Sequence, residues 1–242
     1  LGVQEPMFTW TSDRSLRIEA PSGEGDASRC CAQRARRIAM ALQRAGLAWI
    51  EEVVPSAASV LVVVDPRRIP TLEGERAVRK AIANASECPV DSQDGLREVV
   101  IPVCYDAEFG PDLAALATRN GITPEQVVAL HASGEYVVEC VGFSPGFGYL
   151  AGLPRDLHAP RLDEPRTRVP AGSVGIAGAK TGVYPQATPG GWRLIGRTAM
   201  VMFDASRMNP ALLAVGDRVR FSPISREEFE RQWRDARPGE SL

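Results

Sequence analysis

The stretch from Val141 to Asp204 constrains the fold more than any other part of this sequence. Glycine stands at 142, 146, 148, 152, 172, 175, 178, 182, 190, 191 and 196, and only short β-branched or aromatic runs lie between. Glycine allows positive φ and close backbone approach, so it marks tight turns or places where a ligand meets the main chain. A small, sharply turning barrel is built in this way. Arginines at 155, 161, 166, 168, 193 and 197 share the segment. They give it an anion-friendly character that a purely structural barrel does not need.

The first hundred residues follow another pattern. Leu16–Ala20 alternates apolar and polar residues, as a half-buried strand does. From Asp26 to Ala45, residues Cys31, Ala35, Ile38, Leu42 and Ala45 form the single apolar stripe of an amphipathic helix, and Gly46 is placed to end it. Arg29, Arg34, Arg36, Arg37 and Arg44 read as its solvated face. Strands are expected at Trp49–Val54 and Ser59–Asp65, then a helix over Glu73–Ala85 that buries Val78, Ala81 and Ile82. After a polar linker at Asp91–Gly95, the expected point of proteolysis, Glu98–Tyr105 is a candidate closing strand. This order predicts a ferredoxin-like βαββαβ unit of α+β class over 1–95, serving support or assembly. A mainly-β barrel unit over 96–242 is expected to carry the site.

Beyond Tyr105, Pro111 suits a first helical position and Asp112–Asn120 ends at Gly121. Thr123 with Gln126 forms a capping-box pattern that starts a second helix running to His131. Strands are then expected at Tyr136–Phe143, Ser173–Ala177, Gly182–Tyr184, Trp192–Ile195, Ala199–Phe203 and Asp217–Phe221. A polar helix, Arg226–Arg234, follows.

Composition removes several function classes. The net charge is −2, so no global field draws the chain to nucleic acid or to an acidic membrane. The longest apolar run, Val60–Val64, is too short to span a bilayer, and no leader pattern is visible. Five cysteines without a Cys-x-x-Cys pair point to buried thiols in a reducing, cytoplasmic setting. With two histidines and no clustered Cys/His ligands, no metal site is expected.

Two motifs that resemble catalytic signatures fail on physical grounds. Gly142-Phe143-Ser144-Pro145-Gly146 has the Gly-x-Ser-x-Gly form of a nucleophile elbow. That elbow needs the N–H of the residue after the serine as an oxyanion donor, and Pro145 has none. Gly172–Thr181 approaches a phosphate-binding loop but carries one residue too many before Lys180, and strands rather than a helix surround it. Lys180 remains a candidate anion contact. His131 remains a candidate acid–base or hydrogen-bonding group beside its plainer role at a helix C-terminus. Asp156, Asp163 and Glu164 stand in an arginine-rich loop, where they can pair with it.

The runs CYDAEFGPDLAALA, VVALHASGEYVV, VGFSPGFGYLAGLP, PRTRVPAGSVGIAGAKTGVYP and TPGGWRLIGRT, taken together, resemble the allophanate hydrolase subunit 1 family. The resemblance covers about residues 98–222. That family includes the B-type subunits of bacterial ATP-dependent 5-oxoprolinases, an inhibitor of a sensor histidine kinase, and half of the carboxyltransferase domain of urea carboxylase. The resemblance implies a cyclophilin-like barrel and a subunit role in opening the lactam of 5-oxo-L-proline to L-glutamate with ATP hydrolysis. It also implies two partners, a paralogous barrel subunit of C type and a lactam-binding subunit of A type. ATP, with magnesium, would be bound by the complex. Kinase inhibition and carboxyltransferase or allophanate chemistry stand as alternatives.

Carried onto the matching motifs, the resemblance assigns catalytic roles to His131, Lys180 and Arg197. It assigns substrate binding to Phe143, Pro145, Gly146, Phe147, Tyr149, Arg166, Arg168, Thr181, Tyr184, Pro189, Gly190, Gly191 and Trp192. Lys180 departs from the glutamine frequent in the family.

Overall fold

In the computed structural model, which describes residues 6–20, 27–69, 74–86 and 97–237, the chain is mixed α/β and forms two units. They comprise Leu1–Gly95 and Leu96–Leu242. The expected linker Asp91–Gly95 lies outside the described residues. Among the described residues no helix is long and apolar enough to cross a membrane.

The first unit holds β1 (Met7–Ser12), β2 (Ser15–Glu19), α1 (Ala27–Ala45), β3 (Ile50–Pro55), β4 (Ser59–Val64) and α2 (Gly74–Ser86). Cys31, Ala35, Ile38 and Leu42 of α1 are buried, as their spacing requires, and Gly46 ends the helix at φ 56°. Alternation in β2 and β4 turns Leu16, Ile18, Val60, Val62 and Val64 into the same core, where Val78 of α2 meets them. All strand pairs are antiparallel, in the order β1-β2-β4-β3. This corrects the expected βαββαβ order. The edge meant for a closing strand is filled by β1, paired with β2, while Glu98–Val103 belongs to the other unit.

The second unit opens with that strand, β5 (Glu98–Val103), followed by α3 (Leu113–Asn120) and α4 (Pro124–Ser133). Asp112 is the N-cap of α3, so Pro111 lies just outside it, and Gly121 ends it at φ 68°. Both halves of the Thr123–Gln126 capping box are present at α4, at 3.2 and 2.8 Å. The remaining elements are β6 (Tyr136–Val141), β7 (Gly148–Ala151), β8 (Arg166–Val169), β9 (Ser173–Ala177), β10 (Lys180–Val183), β11 (Thr188–Gly190), β12 (Arg193–Arg197), β13 (Arg218–Pro223) and α5 (Arg226–Ala236).

Seven strands form one sheet, in the order β12-β9-β10-β7-β6-β13-β5, with β13 and β5 parallel. Its two edges meet where Cys104 and Arg197 exchange backbone hydrogen bonds of 2.9 Å, so the sheet is a nearly closed barrel. Ile101, Val138, Leu150, Val174, Ile176 and Ile195 point inward and pack with Leu116 of α3 and Val127 of α4. Strands β8 and β11 pair separately as a two-stranded antiparallel sheet. The predicted strand Ala199–Phe203 does not form. Its apolar residues Ala199 and Met202 are buried without a strand alongside, and only Phe203 makes a bridge, to Ala211.

Candidate functional site

Inward-facing Leu150 and Thr181 leave Tyr149 and Lys180 on the outer face of β7 and β10, since side chains alternate along a strand, and Phe147 and Tyr184, one residue beyond those strands, continue that face. There Phe147, Val169, Ala177, Tyr184, Trp192 and Leu194 form a second apolar cluster, with Tyr149 packed against it. Phe147 is its hub. Its ring meets those of Tyr149, Tyr184, Trp192 and Phe143 edge-on, at 4.9, 5.3, 5.3 and 5.5 Å. Each such pair contributes about 0.5–1.5 kcal/mol beyond the area it buries. Glycine makes this packing possible. A Cβ at Gly190 would sit 2.5 Å from the Tyr184 hydroxyl, and one at Gly182 would sit 3.1 Å from the Phe147 ring.

The cluster opens into a cleft of about 140 Å³ lined by Phe143, Phe147, Tyr149, Arg161, Leu162, Pro165, Tyr184, Gly190, Gly191 and Trp192. Phe143 stands at its mouth. It is 61% exposed and is the sole non-glycine residue with positive φ (71°) among the described residues. The strain comes from the hairpin between β6 and β7. Ser144 N donates to Gly142 O at 2.9 Å, closing a three-residue turn on Phe143. Pro145 and Gly146 then turn the chain so that Phe147 N reaches Ser144 O at 3.0 Å, with Gly146 at φ 82°. Strained non-glycine backbone of this kind gathers at ligand clamps. Phe143→Gly is expected to leave unfolding stability within about 1 kcal/mol, because relief of strain offsets two ring contacts. Urea denaturation checks this.

Seven of the predicted contact residues therefore share one cleft: Phe143, Phe147, Tyr149, Tyr184, Gly190, Gly191 and Trp192. Pro145 and Gly146 shape the hairpin tip, and Pro189 lies exposed on β11. Burial pushes the Tyr149 and Tyr184 phenols above the ordinary tyrosine value, and the charge of Arg161 acts against that shift in both. Arg161, Leu162 and Pro165 were not among the predicted contacts. Their only sequence signal was the arginine density of the segment.

The other predicted residues lie elsewhere. His131 is fully buried, stacked on Phe221 at 4.3 Å between ring centroids. Thr181 Oγ1 donates to Gly175 O at 2.9 Å, so it can only accept from His131 Nε2, 3.0 Å away. His131 Nδ1 is then the acceptor for the Tyr105 hydroxyl at 2.7 Å. Burial pushes the His131 pKa down to about 3. His131 and Thr181 thus tie α4 to β10 inside the barrel, and neither lines the cleft.

Lys180 pairs with the buried Glu139 at 2.5 Å. Arg166 donates to Asp112 Oδ1 at 2.7 Å, and Asp112 Oδ2 accepts from Leu194 N at 2.7 Å, which pins β8 to the start of α3. Arg168 is exposed on β8. Arg197 stands apart from the cleft lining. It sits at the far end of β12 from Trp192, 9% exposed, donating from Nε to Ala171 O at 2.9 Å. Its guanidinium lies over the Trp233 ring of α5, 4.2 Å from the centroid. Desolvation lowers its pKa.

The rejected motifs are equally clear. Ser144 Oγ is buried with no hydrogen-bond partner among the described residues. Gly172–Thr181 becomes the β9–β10 hairpin, whose N–H groups serve strand pairing and, at Gly178, Ala159 O. That backbone does not fit a triphosphate. Among the described residues no three His, Cys, Asp or Glu side chains converge on a metal position.

Comparison with known proteins adds the lineage. Residues 6–213 match the family described as carboxyltransferase domain, subdomain C and D. The chain is 48% identical over 155 residues to the B-type 5-oxoprolinase subunit of Bacillus subtilis (strain 168), covering 64% of this chain and 63% of that protein. It is 58% identical over 127 residues to the B-type 5-oxoprolinase subunit of Escherichia coli O157:H7, covering 52% and 58%. The matches thus span about three fifths of each relative's length. The solved structure of the protein TTHA0988 superposes with a TM-score of 0.73 at 36% identity, over 88% of this chain and 40% of that one. This chain belongs to the family of the carboxyltransferase domain, subdomains C and D, which is the allophanate hydrolase subunit 1 family.

Proposed function

We propose that this chain is a subunit of an ATP-dependent 5-oxoprolinase, working with a paralogous barrel subunit and a lactam-binding subunit to open 5-oxo-L-proline to L-glutamate. The observation that carries the reading is the 58% identity to a protein named as a B-type subunit of 5-oxoprolinase. The described geometry supports a subunit role. Its cleft holds aromatic rings, backbone and one arginine, with no serine, cysteine or histidine nucleophile and no paired carboxylates. An unstrained amide needs an activated oxygen, and in this reading ATP supplies the activation. Because the glycine-rich hairpin does not fit a triphosphate, nucleotide binding is assigned to the assembled complex rather than to that segment. In this reading the barrel is of cyclophilin-like type and the first unit serves assembly.

The test is reconstitution. The purified chain is expected to show no 5-oxoproline-dependent ATP hydrolysis alone and to support it once the two companion subunits are added. Turnover by the chain alone, or a complex indifferent to its omission, overturns the reading.

A further inference from the structure

Arg161 is the one charged residue lining the cleft. Among the described residues it forms no hydrogen bond and no ion pair, although Asp163 and Glu164 follow closely in the chain. Its backbone is nevertheless fixed on both sides. Pro160 O accepts from Arg193 Nε at 3.1 Å, and Leu162 N donates to Gly191 O at 2.8 Å. The loop therefore holds an uncompensated guanidinium against a wall of aromatic rings. Facing it, the Tyr149 hydroxyl also makes no hydrogen bond among the described residues. Burial keeps the Tyr184 phenol neutral, so it too retains a proton to donate. The polar side chains of the cleft thus offer hydrogen-bond donors and positive charge, while its walls offer flat apolar faces. A guanidinium in this setting recognises a carboxylate through charge-assisted hydrogen bonds.

We propose that this cleft binds a small ring-bearing carboxylate, its ring against Phe147, Tyr149 and Trp192 and its carboxylate on Arg161 with help from the Tyr149 hydroxyl. Arg161 is then the specificity residue that separates acidic rings from neutral ones. The choice of 5-oxo-L-proline as the first probe rests on the function proposed above; the ligand class rests on the cleft itself. The volume of about 140 Å³ suits a single small ring rather than a nucleotide.

The experiment is calorimetric and NMR titration of the purified chain with 5-oxo-L-proline, cyclopentanecarboxylate and 2-pyrrolidinone, which lacks the carboxylate. Arg161→Ala, Arg161→Lys and Tyr149→Phe are titrated alongside. Both carboxylates are expected to bind, with Arg161→Ala weakening them on the order of 10- to 100-fold and Arg161→Lys recovering part of the loss. Neutral 2-pyrrolidinone is expected to bind weakly and equally to all variants. Arg161 is exposed, so its variants are expected to fold, and circular dichroism verifies this. Absence of carboxylate binding, equal affinity for the neutral ring, or indifference to Arg161→Ala overturns the proposal. The two readings fail separately. A reconstituted enzyme that turns over while the chain binds no carboxylate sinks only the cleft assignment. Carboxylate binding by the chain beside an inactive complex sinks only the 5-oxoprolinase reading.

Discussion

His131→Ala is expected to destabilise the second unit by about 3–5 kcal/mol, the cost of a core cavity plus an orphaned Tyr105 hydroxyl. The ring is fully buried, stacked on Phe221 and bonded at both nitrogens, so no solvent replaces it. The pH dependence gives a sharper test. The folded histidine keeps its neutral form down to about pH 3, whereas in the unfolded chain it takes a proton near 6.5. Below 6.5 the unfolded state therefore binds a proton that the folded state refuses. The contribution is complete above 6.5 and is lost progressively as pH falls toward 3, at up to about 1.4 kcal/mol per pH unit. Urea denaturation of both proteins at pH 7 and pH 5 measures this difference. The wild type is expected to lose more stability between the two than His131→Ala does. Equal losses would show that His131 does not carry the acid sensitivity.

The same residue shows what sequence could and could not convey. A histidine near the end of a short helix reads as a candidate acid or base. Its actual role depends on Tyr105, Thr181 and Phe221, from three separate parts of the chain, and no local pattern joins them. Helices were legible because their signals are local: the α1 stripe, the Thr123 capping box and the glycines at 46 and 121 all act within a few residues. The long strands with alternating burial were legible for the same reason. Strands β7, β8 and β11 were not, because three or four residues broken by glycine or proline hold too little alternation. The fate of Glu98–Val103 was also hidden. A strand adjacent in sequence to the first unit pairs in parallel with β13, more than a hundred residues away.

The aromatic half of the cleft was legible through resemblance, and its cationic half was not. Phe147, Tyr149, Tyr184 and Trp192 fall in motifs that sequence alone singles out. Arg161 falls between motifs, among six arginines in one segment. Structure sorts these by surroundings: Arg166 is paired with Asp112, Arg193 holds Pro160 O, Arg197 is stacked on Trp233, Arg155 and Arg168 are exposed outside the cleft lining, and Arg161 stands over the cleft. Arginine density pointed to the right region, but which guanidinium meets the cleft is a three-dimensional property.

Gly172→Ala is expected to be among the most damaging small substitutions in the barrel. Gly172 has φ 81°, and a Cβ built there lies 2.1 Å from Thr198 O. The obstacle is backbone, so no rotamer change relieves it. Moving Thr198 would break the Thr198 N to Gly172 O bond of 2.9 Å and disturb Arg197 beside it, whose backbone closes the barrel on Cys104. Moving Gly172 instead would break its 2.7 Å bond to Tyr184 O and so shift a wall of the cleft. Either path costs at least about 3 kcal/mol, the range of overpacking combined with incompatible backbone. Gly121→Ala separates the two contributions. Gly121 has a similar φ, 68°, but nothing lies within 4 Å of its Cβ position, so only the conformational cost of about 1 kcal/mol remains. Thermal and urea unfolding of the two variants should therefore differ by about 2 kcal/mol or more. Near-equal losses would show that the seam at Thr198 yields easily and that φ alone governs both glycines.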